Sequence, residues 1–211
     1  VEAMHLMIEA ERRAFADRAE YMGDPDFWKV PQKTLLSKEY LSGRMKDFDT
    51  QKTSVSKNIH AGEIHESDET THISIIDAEG NMVSITTTLN NSYGSKTVVG
   101  SAGFILNDEM DDFSMKPGVP NMYGAIGGAA NAIAPGKRML SSMAPTLVLK
   151  DGKPFIVLGT PGGTTIPTSV YQMIVDIIDF DMNAMDAVNK PKFHHQWLPD
   201  DVKIENGFSP E

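Results

Sequence analysis

Two adjacent threonines, Thr70 and Thr71, begin a stretch in which apolar and polar side chains alternate. A threonine hydroxyl becomes an effective nucleophile when a base lies beside it. A threonine at a free N-terminus carries that base as its own α-amine, whose pKa is about 8. Such a residue arises when a chain is cut immediately before it. The same pair is also typical of a strand entrance, because threonine suits a pleated surface. The threonines alone therefore permit an N-terminal nucleophile without requiring one.

A glycine pair, Gly162 and Gly163, lies between a predicted strand and a predicted helix. Backbone N–H groups at a helix N-terminus lack intrahelical partners and carry the positive end of the helix dipole. The pair is therefore either a tight turn or a site that stabilises an oxyanion. A phosphate loop is not expected, because the surrounding residues lack the G-x-x-x-x-G-K-[ST] pattern.

Further polar groups lie in a long loop that spans roughly residues 90–140 and in the residues just after it. Its acidic cluster comprises Asp108, Glu109, Asp111 and Asp112. Such residues are usually solvated, although two carboxylates can also hold a ligand ammonium group. Ser141 and Ser142 follow, where hydroxyls usually cap turns. Neither the acidic spacing nor the histidine spacing fits a calcium or zinc motif, so no metal site is predicted.

The composition is that of a soluble globular protein, with 211 residues, 40% of them hydrophobic and 23% charged. The net charge of −10 argues against nucleic acid or an anionic membrane as the main partner. No apolar run is long enough to cross a bilayer, and no signal peptide is visible. The absence of cysteine excludes disulfides, thiolate chemistry and cysteine-bound zinc.

Hydrophobic period and turn residues predict the elements that position these groups. Helices are expected at residues 1–22, 37–48, 165–179 and 183–189, and strands at 72–77, 82–89, 103–106, 146–150, 154–159 and 202–205. In the first helix, the predicted apolar face consists of Met4, Met7, Ile8, Ala14 and Phe15, with charges opposite. Residues 49–69 are polar and poor in strand formers, which is typical of an exposed segment where a chain could be cut. Runs of strands with helices at each end favour an α+β fold.

Taken together, the motifs resemble those of γ-glutamyltranspeptidases. The matching segments, in order, are T-T-H-x-S from Thr70, T-L-N from Thr88, D-D-F-S-x-K-P-G-V-P-N over 111–121, L-S-S-M-x-P-T over 140–146, P-G-G over 161–163 and F-H-H-Q-W-L-P-D over 193–200. The resemblance covers nearly the whole chain. It implies part of an N-terminal-nucleophile (Ntn) hydrolase fold, a four-layer αββα sandwich, in a precursor that cleaves itself between Glu69 and Thr70. Residues 1–69 would then be the C-terminal end of the large subunit with the linker to the processing site, and residues 70–211 a small-subunit catalytic region truncated at its C-terminus.

The resemblance also implies roles in γ-glutamyl transfer and glutathione hydrolysis, with no cofactor. Thr70 would attack the γ-glutamyl amide of glutathione or a similar compound, and the resulting ester would pass to water or to an amino acid or peptide. Thr88 would orient the nucleophile, and Gly162 and Gly163 would form the oxyanion hole. The positions that match substrate-binding residues are Asn90, Glu109 and Asp112 for the α-amino group, Ser141 and Ser142 for the α-carboxylate, and Tyr123 in a lid.

The resemblance further implies a partner, the large-subunit portion of the same precursor, which supplies an arginine for the substrate carboxylate. We therefore expect this chain to be inactive alone, and we expect the family's periplasmic or extracellular location. Two related enzymes stay open as alternatives, a cephalosporin acylase and a poly-γ-glutamate-processing relative. A non-catalytic module on the same fold is a third alternative, which an intact Glu69–Thr70 bond would favour.

Overall fold

The computed structural model describes residues 2–59, 70–122 and 124–208. Its contacts divide the chain into two compact units. The first unit contains residues 1–65, 110–140 and 194–203, and the second contains residues 66–109, 141–193 and 204–211. Each unit is therefore assembled from stretches that are far apart in the sequence.

The described residues form short helices and antiparallel hairpins. The α-helices are α1 (Glu2–Tyr21), α2 (Gln32–Leu35), α3 (Lys38–Arg44), α4 (Ile166–Ile178) and α5 (Ala184–Asn189). The strands are β1 (Thr70–Ile76), β2 (Met82–Thr88), β3 (Thr146–Lys150), β4 (Lys153–Leu158), β5 (Phe193–His194) and β6 (Lys203–Ile204), which pair as β1–β2, β3–β4 and β5–β6. The predicted strand at 103–106 is wrong, since Ile105 forms only an isolated bridge with Val98. No helix in the described part of the chain is long and apolar enough to cross a membrane.

Helix α1 buries charged side chains as well as apolar ones. Met7, Ile8 and Phe15 are buried as predicted, but Ala14 is exposed, whereas Glu9 and Arg12 are almost inaccessible to solvent. The hydrophobic period placed Glu9 and Arg12 on the exposed face because it takes no account of charge pairing. In the structure their opposite charges lie side by side, which allows both to be buried. Arg12 Nε lies 3.3 Å from a Glu9 carboxylate oxygen, and buried charges in proteins are usually paired in this way.

The hairpin β1–β2 directs its more polar face towards β4 in the second unit. Ser84 Oγ donates a hydrogen bond of 2.9 Å to the Leu158 carbonyl and accepts one of 3.1 Å from the Thr146 amide. On the opposite face of β1, Ile73 and Ile75 are about half exposed, at 51% and 53%. The alternation predicted the strand correctly. In the structure, however, the face of the hairpin that contacts β4 is the one with Ser84, and not the one with Ile73 and Ile75.

The core of the second unit lies between α4 and the hairpin β3–β4. Ile166, Val170 and Met173 on α4 cluster with Leu158 at the end of β4. Their spacing places them on one face of the helix. This packing fixes the β4–α4 connection, which contains the glycine pair of the sequence analysis.

Candidate active site

Thr70 and Thr88, the predicted nucleophile and the residue predicted to orient it, lie opposite each other in the β1–β2 hairpin. Thr70 lies at the start of β1 and Thr88 at the end of β2. The Thr70 hydroxyl donates a hydrogen bond of 3.3 Å to Thr88 Oγ1. Thr88 Oγ1 also accepts a hydrogen bond of 2.9 Å from the Asn90 amide. Because Oγ1 of Thr88 bonds both residues, the nucleophile candidate is tied to the turn that follows β2.

Asn90 occupies a constrained position in this turn. It is 4% exposed and has a φ of 76°, a left-handed conformation that asparagine tolerates better than most residues. Its Nδ2 donates to the Asp108 carbonyl at 3.3 Å, and Asp108 Oδ1 accepts from the Asn91 amide at 3.0 Å. These contacts hold the segment before Glu109 against the end of β2.

Glu109 follows directly, and its backbone amide donates to Asn107 Oδ1 at 3.2 Å. Burial, together with the neighbouring Asp108 carboxylate, raises the pKa of the Glu109 carboxyl. Both causes disfavour a negative charge at this position. A cationic group bound beside Glu109 would offset the free-energy cost of its negative charge, so the position suits a carboxylate that binds an ammonium group.

An open cavity of about 290 Å³ lies at this end of the hairpin. Hydroxyl and amide side chains dominate its lining: Thr70, Thr71, Thr87, Thr88, Asn91 and Ser92, with Leu89 and Tyr93. A polar cavity of this size beside the Thr70 hydroxyl can admit a small polar substrate.

The glycine pair adopts backbone angles that favour glycine. The φ angles of Gly162 and Gly163 are 134° and 52°. A Cβ on Gly162 would lie 2.4 Å from Thr165 Oγ1, so the site has no room for a side chain there. The Gly162 carbonyl accepts hydrogen bonds from the Thr165 amide at 2.9 Å and from the Thr165 hydroxyl at 2.6 Å. The Gly162 carbonyl therefore fixes the turn through Thr165. The Gly162 and Gly163 amides lie at the start of the helical segment that leads into α4.

A histidine on the same face of β1 as Thr70 contacts this loop. The His72 ring lies so close to Gly159 that a Cβ there would be 2.2 Å from His72 Cε1. Its Nδ1 lies 2.8 Å from Thr86 Oγ1 across the hairpin. Burial lowers the pKa of His72, which favours the neutral ring. His72 thus packs the strand of the nucleophile candidate against the segment that leads to Gly162.

The remaining predicted residues fall in different places. Ser141 Oγ accepts a hydrogen bond of 3.1 Å from the Met143 amide, and Ser142 follows in the same half-buried segment of the second unit. Asp112 belongs to the first unit, where its carbonyl accepts from Asn131 Nδ2 at 2.7 Å. Glu69 and Tyr123 lie outside the described residues. The structure therefore links Thr70, Thr88 and Asn90 directly by hydrogen bonds, and joins Glu109 to them through Asp108.

Sequence reasoning missed two residues of this region. Asp108 was assigned to a solvated cluster, although it bonds to Asn90 and Asn91. His72 belongs to the T-T-H-x-S segment, but the sequence assigns it no role. A histidine two positions after the nucleophile candidate, on the same face, was the available signal. Among residues 2–59, 70–122 and 124–208, no three His, Asp or Glu side chains lie close enough together to hold a metal ion.

Comparison with known proteins gives consistent matches. The family model for γ-glutamyltranspeptidase matches residues 1–211. The chain is 52% identical to the glutathione hydrolase proenzyme of Escherichia coli K12 over its whole length, which is 37% of the length of that protein. It is 57% identical to the crystal structure of a mutant γ-glutamyltranspeptidase from Helicobacter pylori, with a TM-score of 0.63 over 64% of this chain and 72% of the other. The cephalosporin acylase of Bacillus halodurans is 27% identical, with a TM-score of 0.73 over 92% of this chain and 33% of the other. The chain thus spans little more than a third of the length of the curated relative.

Proposed function

The chain belongs to the γ-glutamyltranspeptidase family, and from that premise we propose that it carries the nucleophile of an autoprocessed γ-glutamyltransferase that also hydrolyses glutathione. The observation that carries the proposal is the hydrogen bond between Thr70 and Thr88 at the start of β1. It presents a threonine hydroxyl at the edge of a polar cavity, at the position where the family's motif has its nucleophile. An oriented hydroxyl at a strand start is what an N-terminal nucleophile requires.

Maturation proceeds by an acyl shift at the Glu69–Thr70 bond. Thr70 Oγ forms a bond to the Glu69 carbonyl carbon and loses its hydroxyl proton, and the proton passes to the α-nitrogen as the C–N bond breaks. Water then hydrolyses the ester, which leaves a carboxylate on Glu69 and a free hydroxyl and amine on Thr70. No other protein group has to act as base afterwards, because the α-amine has a pKa of about 8 and is partly neutral near pH 7.

Turnover repeats the same attack on the γ-carbonyl of the substrate. The Thr70 amine accepts the proton of its own hydroxyl as Oγ bonds to the γ-carbonyl carbon, and the oxyanion of the tetrahedral intermediate takes hydrogen bonds from the Gly162 and Gly163 amides. The Thr70 ammonium group then gives that proton to the substrate nitrogen, the substrate C–N bond breaks, and the substrate amine leaves. The γ-glutamyl ester on Thr70 then passes to water or to an amino acid or peptide. Loss of one oxyanion donor typically costs about 3–4 kcal/mol of transition-state stabilisation.

Substrate recognition is assigned to polar residues through the family resemblance. Asn90 and Glu109 bind the α-ammonium group, which suits the raised pKa of Glu109 because a bound cation restores its preference for the charged form. Ser141 and Ser142 bind the α-carboxylate through their hydroxyls. The roles of Asp112 and Tyr123 rest on the family resemblance alone.

The rest of the precursor is the proposed partner. The described residues form two-stranded sheets, fewer strands than the proposed four-layer αββα sandwich contains, and the curated relative is nearly three times as long. The half-exposed isoleucines of β1 offer an apolar surface for such a layer. We therefore expect the 211-residue chain alone to show no turnover of a γ-glutamyl anilide.

The test is made on the full-length precursor with Thr70→Ala and Thr70→Ser variants. We expect the parent to yield a subunit beginning at Thr70 and to release the aniline from a γ-glutamyl anilide. Thr70→Ala should remain uncut and inactive, whereas Thr70→Ser should be cut more slowly and keep some activity. Cleavage and turnover by Thr70→Ala at the parental rates would contradict the proposal.

A second candidate is an acylase for cephalosporin side chains, favoured by the fold similarity to the Bacillus halodurans enzyme. The two activities differ in the substrate α-ammonium group, which Asn90 and Glu109 would bind. Glu109→Ala separates them, because it removes every hydrogen-bond acceptor of the side chain along with its charge. It should raise KM for γ-glutamyl substrates and leave hydrolysis of a glutaryl amide, which lacks the ammonium group, nearly unchanged.

A further inference from the structure

The first unit is built from both sides of the proposed cut. Helix α1 and residues up to 59 precede Glu69, whereas residues 110–140 and 194–203 follow it. Phe15 and Ala19 of α1 share one buried cluster with Trp197 and Leu198. The core of this unit therefore belongs to two separate chains once the bond before Thr70 is broken.

The most specific contact across that division is made by one carboxylate. Asp200 Oδ2 accepts a hydrogen bond of 2.7 Å from the Ser56 amide, and Asp200 Oδ1 accepts one of 2.7 Å from the Ser56 hydroxyl. The Arg12 guanidinium donates to the same Oδ1 and to Ser56 Oγ. Arg12 is 2% exposed and Ser56 is fully buried. Three donors from the N-terminal side thus converge on a single side chain from the C-terminal side.

The N-terminal side of this contact is held rigidly. Glu9 Oε1 accepts from the Ser54 amide at 3.0 Å, and Arg13 Nη2 donates to Ser54 Oγ at 3.1 Å. Arg13 also donates to the Arg44 carbonyl at 2.7 Å. The chain from Ser54 to Ser56 is therefore fixed to α1 independently of Asp200. Asp200 meets a preformed set of donors, which reduces the ordering cost of association.

We propose that Arg12, Ser56 and Asp200 form a clasp that retains the N-terminal cleavage product on the C-terminal product after the chain is cut. The clasp rests on the proposed function, because only autoprocessing before Thr70 separates its two sides. Charge-assisted hydrogen bonds are the strong ones. Separation of the products would break the Arg12–Asp200 ion pair and both Ser56–Asp200 hydrogen bonds, and would leave Glu9 as the remaining carboxylate beside Arg12.

The experiment measures how tightly the two cleavage products bind each other. In the full chain, residues 61–67 are replaced by the recognition sequence of a site-specific protease, and the folded protein is cut in vitro. Dilution followed by size exclusion and native mass spectrometry then gives the dissociation constant of the two products. Asp200→Asn is compared with Asp201→Asn, which removes the same charge from an adjacent exposed residue.

We expect the parental products to stay associated at micromolar concentration. Asp200→Asn should raise their dissociation constant about tenfold or more, and Asp201→Asn should change it less than about twofold. Equal constants for the two variants, or separation of the parental products, would overturn the clasp. If uncut Asp200→Asn does not fold by circular dichroism, Ser56→Ala replaces it. Ser56→Ala keeps the amide donor and should raise the constant several-fold; an unchanged constant overturns the clasp.

Self-cleavage is measured separately, from the denatured mass of the unaltered full-length precursor. Failure to cut before Thr70 would refute the proposed maturation, whereas the protease-cut protein still measures the Asp200 contact. The two proposals therefore fail by different observations.

Discussion

Replacement of Thr88 by valine isolates the contribution of one hydroxyl to the candidate site. Valine keeps the shape and strand preference of threonine but removes Oγ1, which accepts from Thr70 at 3.3 Å and from the Asn90 amide at 2.9 Å. Asn90 is buried, so its amide loses a partner where water does not easily substitute. The net contribution of one hydrogen bond is about 0.5–1.5 kcal/mol, and because two are lost we expect the free energy of unfolding to fall by about 1–2 kcal/mol.

The catalytic effect of Thr88→Val should exceed its effect on stability. Thr70 would keep its hydroxyl but lose the partner that orients it, and misplacement of a reacting group by about 1 Å can cost about a hundredfold in rate. Processing is followed by denaturing mass spectrometry of the full-length precursor, which detects the subunit beginning at Thr70. Turnover is followed by release of the aniline from a γ-glutamyl anilide. We expect both rates to fall by about one to two orders of magnitude.

The matched control is Thr97→Val, which removes a hydroxyl that donates to the Ser95 carbonyl at 3.3 Å on the exposed surface of the same unit. It should leave processing, turnover and stability near those of the parent. Parental processing by Thr88→Val, measured with the same stability loss, would show that Thr88 supports the fold without orienting Thr70. That result would refute the reasoning from the hydroxyl pair.

Three further predictions follow from the structure. The pKa of Asp200 lies at about 2, because hydrogen bonds from Ser56 and the Arg12 charge outweigh burial, which alone would raise it. Its stabilisation should therefore be complete above about pH 4 and lost as the pH falls towards 2. It amounts to about 1 kcal/mol after allowance for solvent screening, measured as the difference in urea unfolding between parent and Asp200→Asn. Gly159→Ala should lower the free energy of unfolding by about 1–3 kcal/mol, because the His72 ring, which lies within hydrogen-bond distance of Thr86 and Ser74, would have to move to admit its Cβ. Gly43→Ala, with open space around it in α3, should raise it by up to about 1 kcal/mol; equal effects in urea unfolding would contradict the packing argument. Gly162→Ala should abolish turnover while leaving most of the secondary structure, because its φ of 134° disfavours a side chain; circular dichroism with an anilide assay checks both parts.

Local features of the fold were predictable, and their partners were not. Apolar–polar alternation with the turn at residues 78–81 predicted the hairpin β1–β2, and the Asp151-Gly152 turn between two short apolar runs predicted the hairpin β3–β4. The period of α1 predicted its length, but not the burial of Arg12, because the Asp200 carboxylate that pairs with it lies 188 residues further along the chain. A local sequence pattern cannot predict a contact with a charge that far along the chain.

The candidate site divides in the same way. Thr70 and Thr88 were assigned through the family resemblance, and the strand register places them opposite each other. The packing of His72 on Gly159 depends on how β1 meets the end of β4, which no local pattern specifies. The sequence pattern of Asp108 is that of a solvated acid, whereas in the structure its carbonyl accepts from the Asn90 side chain and its carboxylate accepts from the Asn91 amide.

The central claim is that Thr70 becomes a free N-terminus and then carries the acyl group. It is tested most directly by mass spectrometry of the full-length precursor, denatured with acid during turnover of a poor γ-glutamyl substrate. We predict a subunit that begins at Thr70, part of it with the added mass of one γ-glutamyl group, mapped to its first residue by fragmentation. An uncut chain, or an adduct on any other residue, would contradict the account.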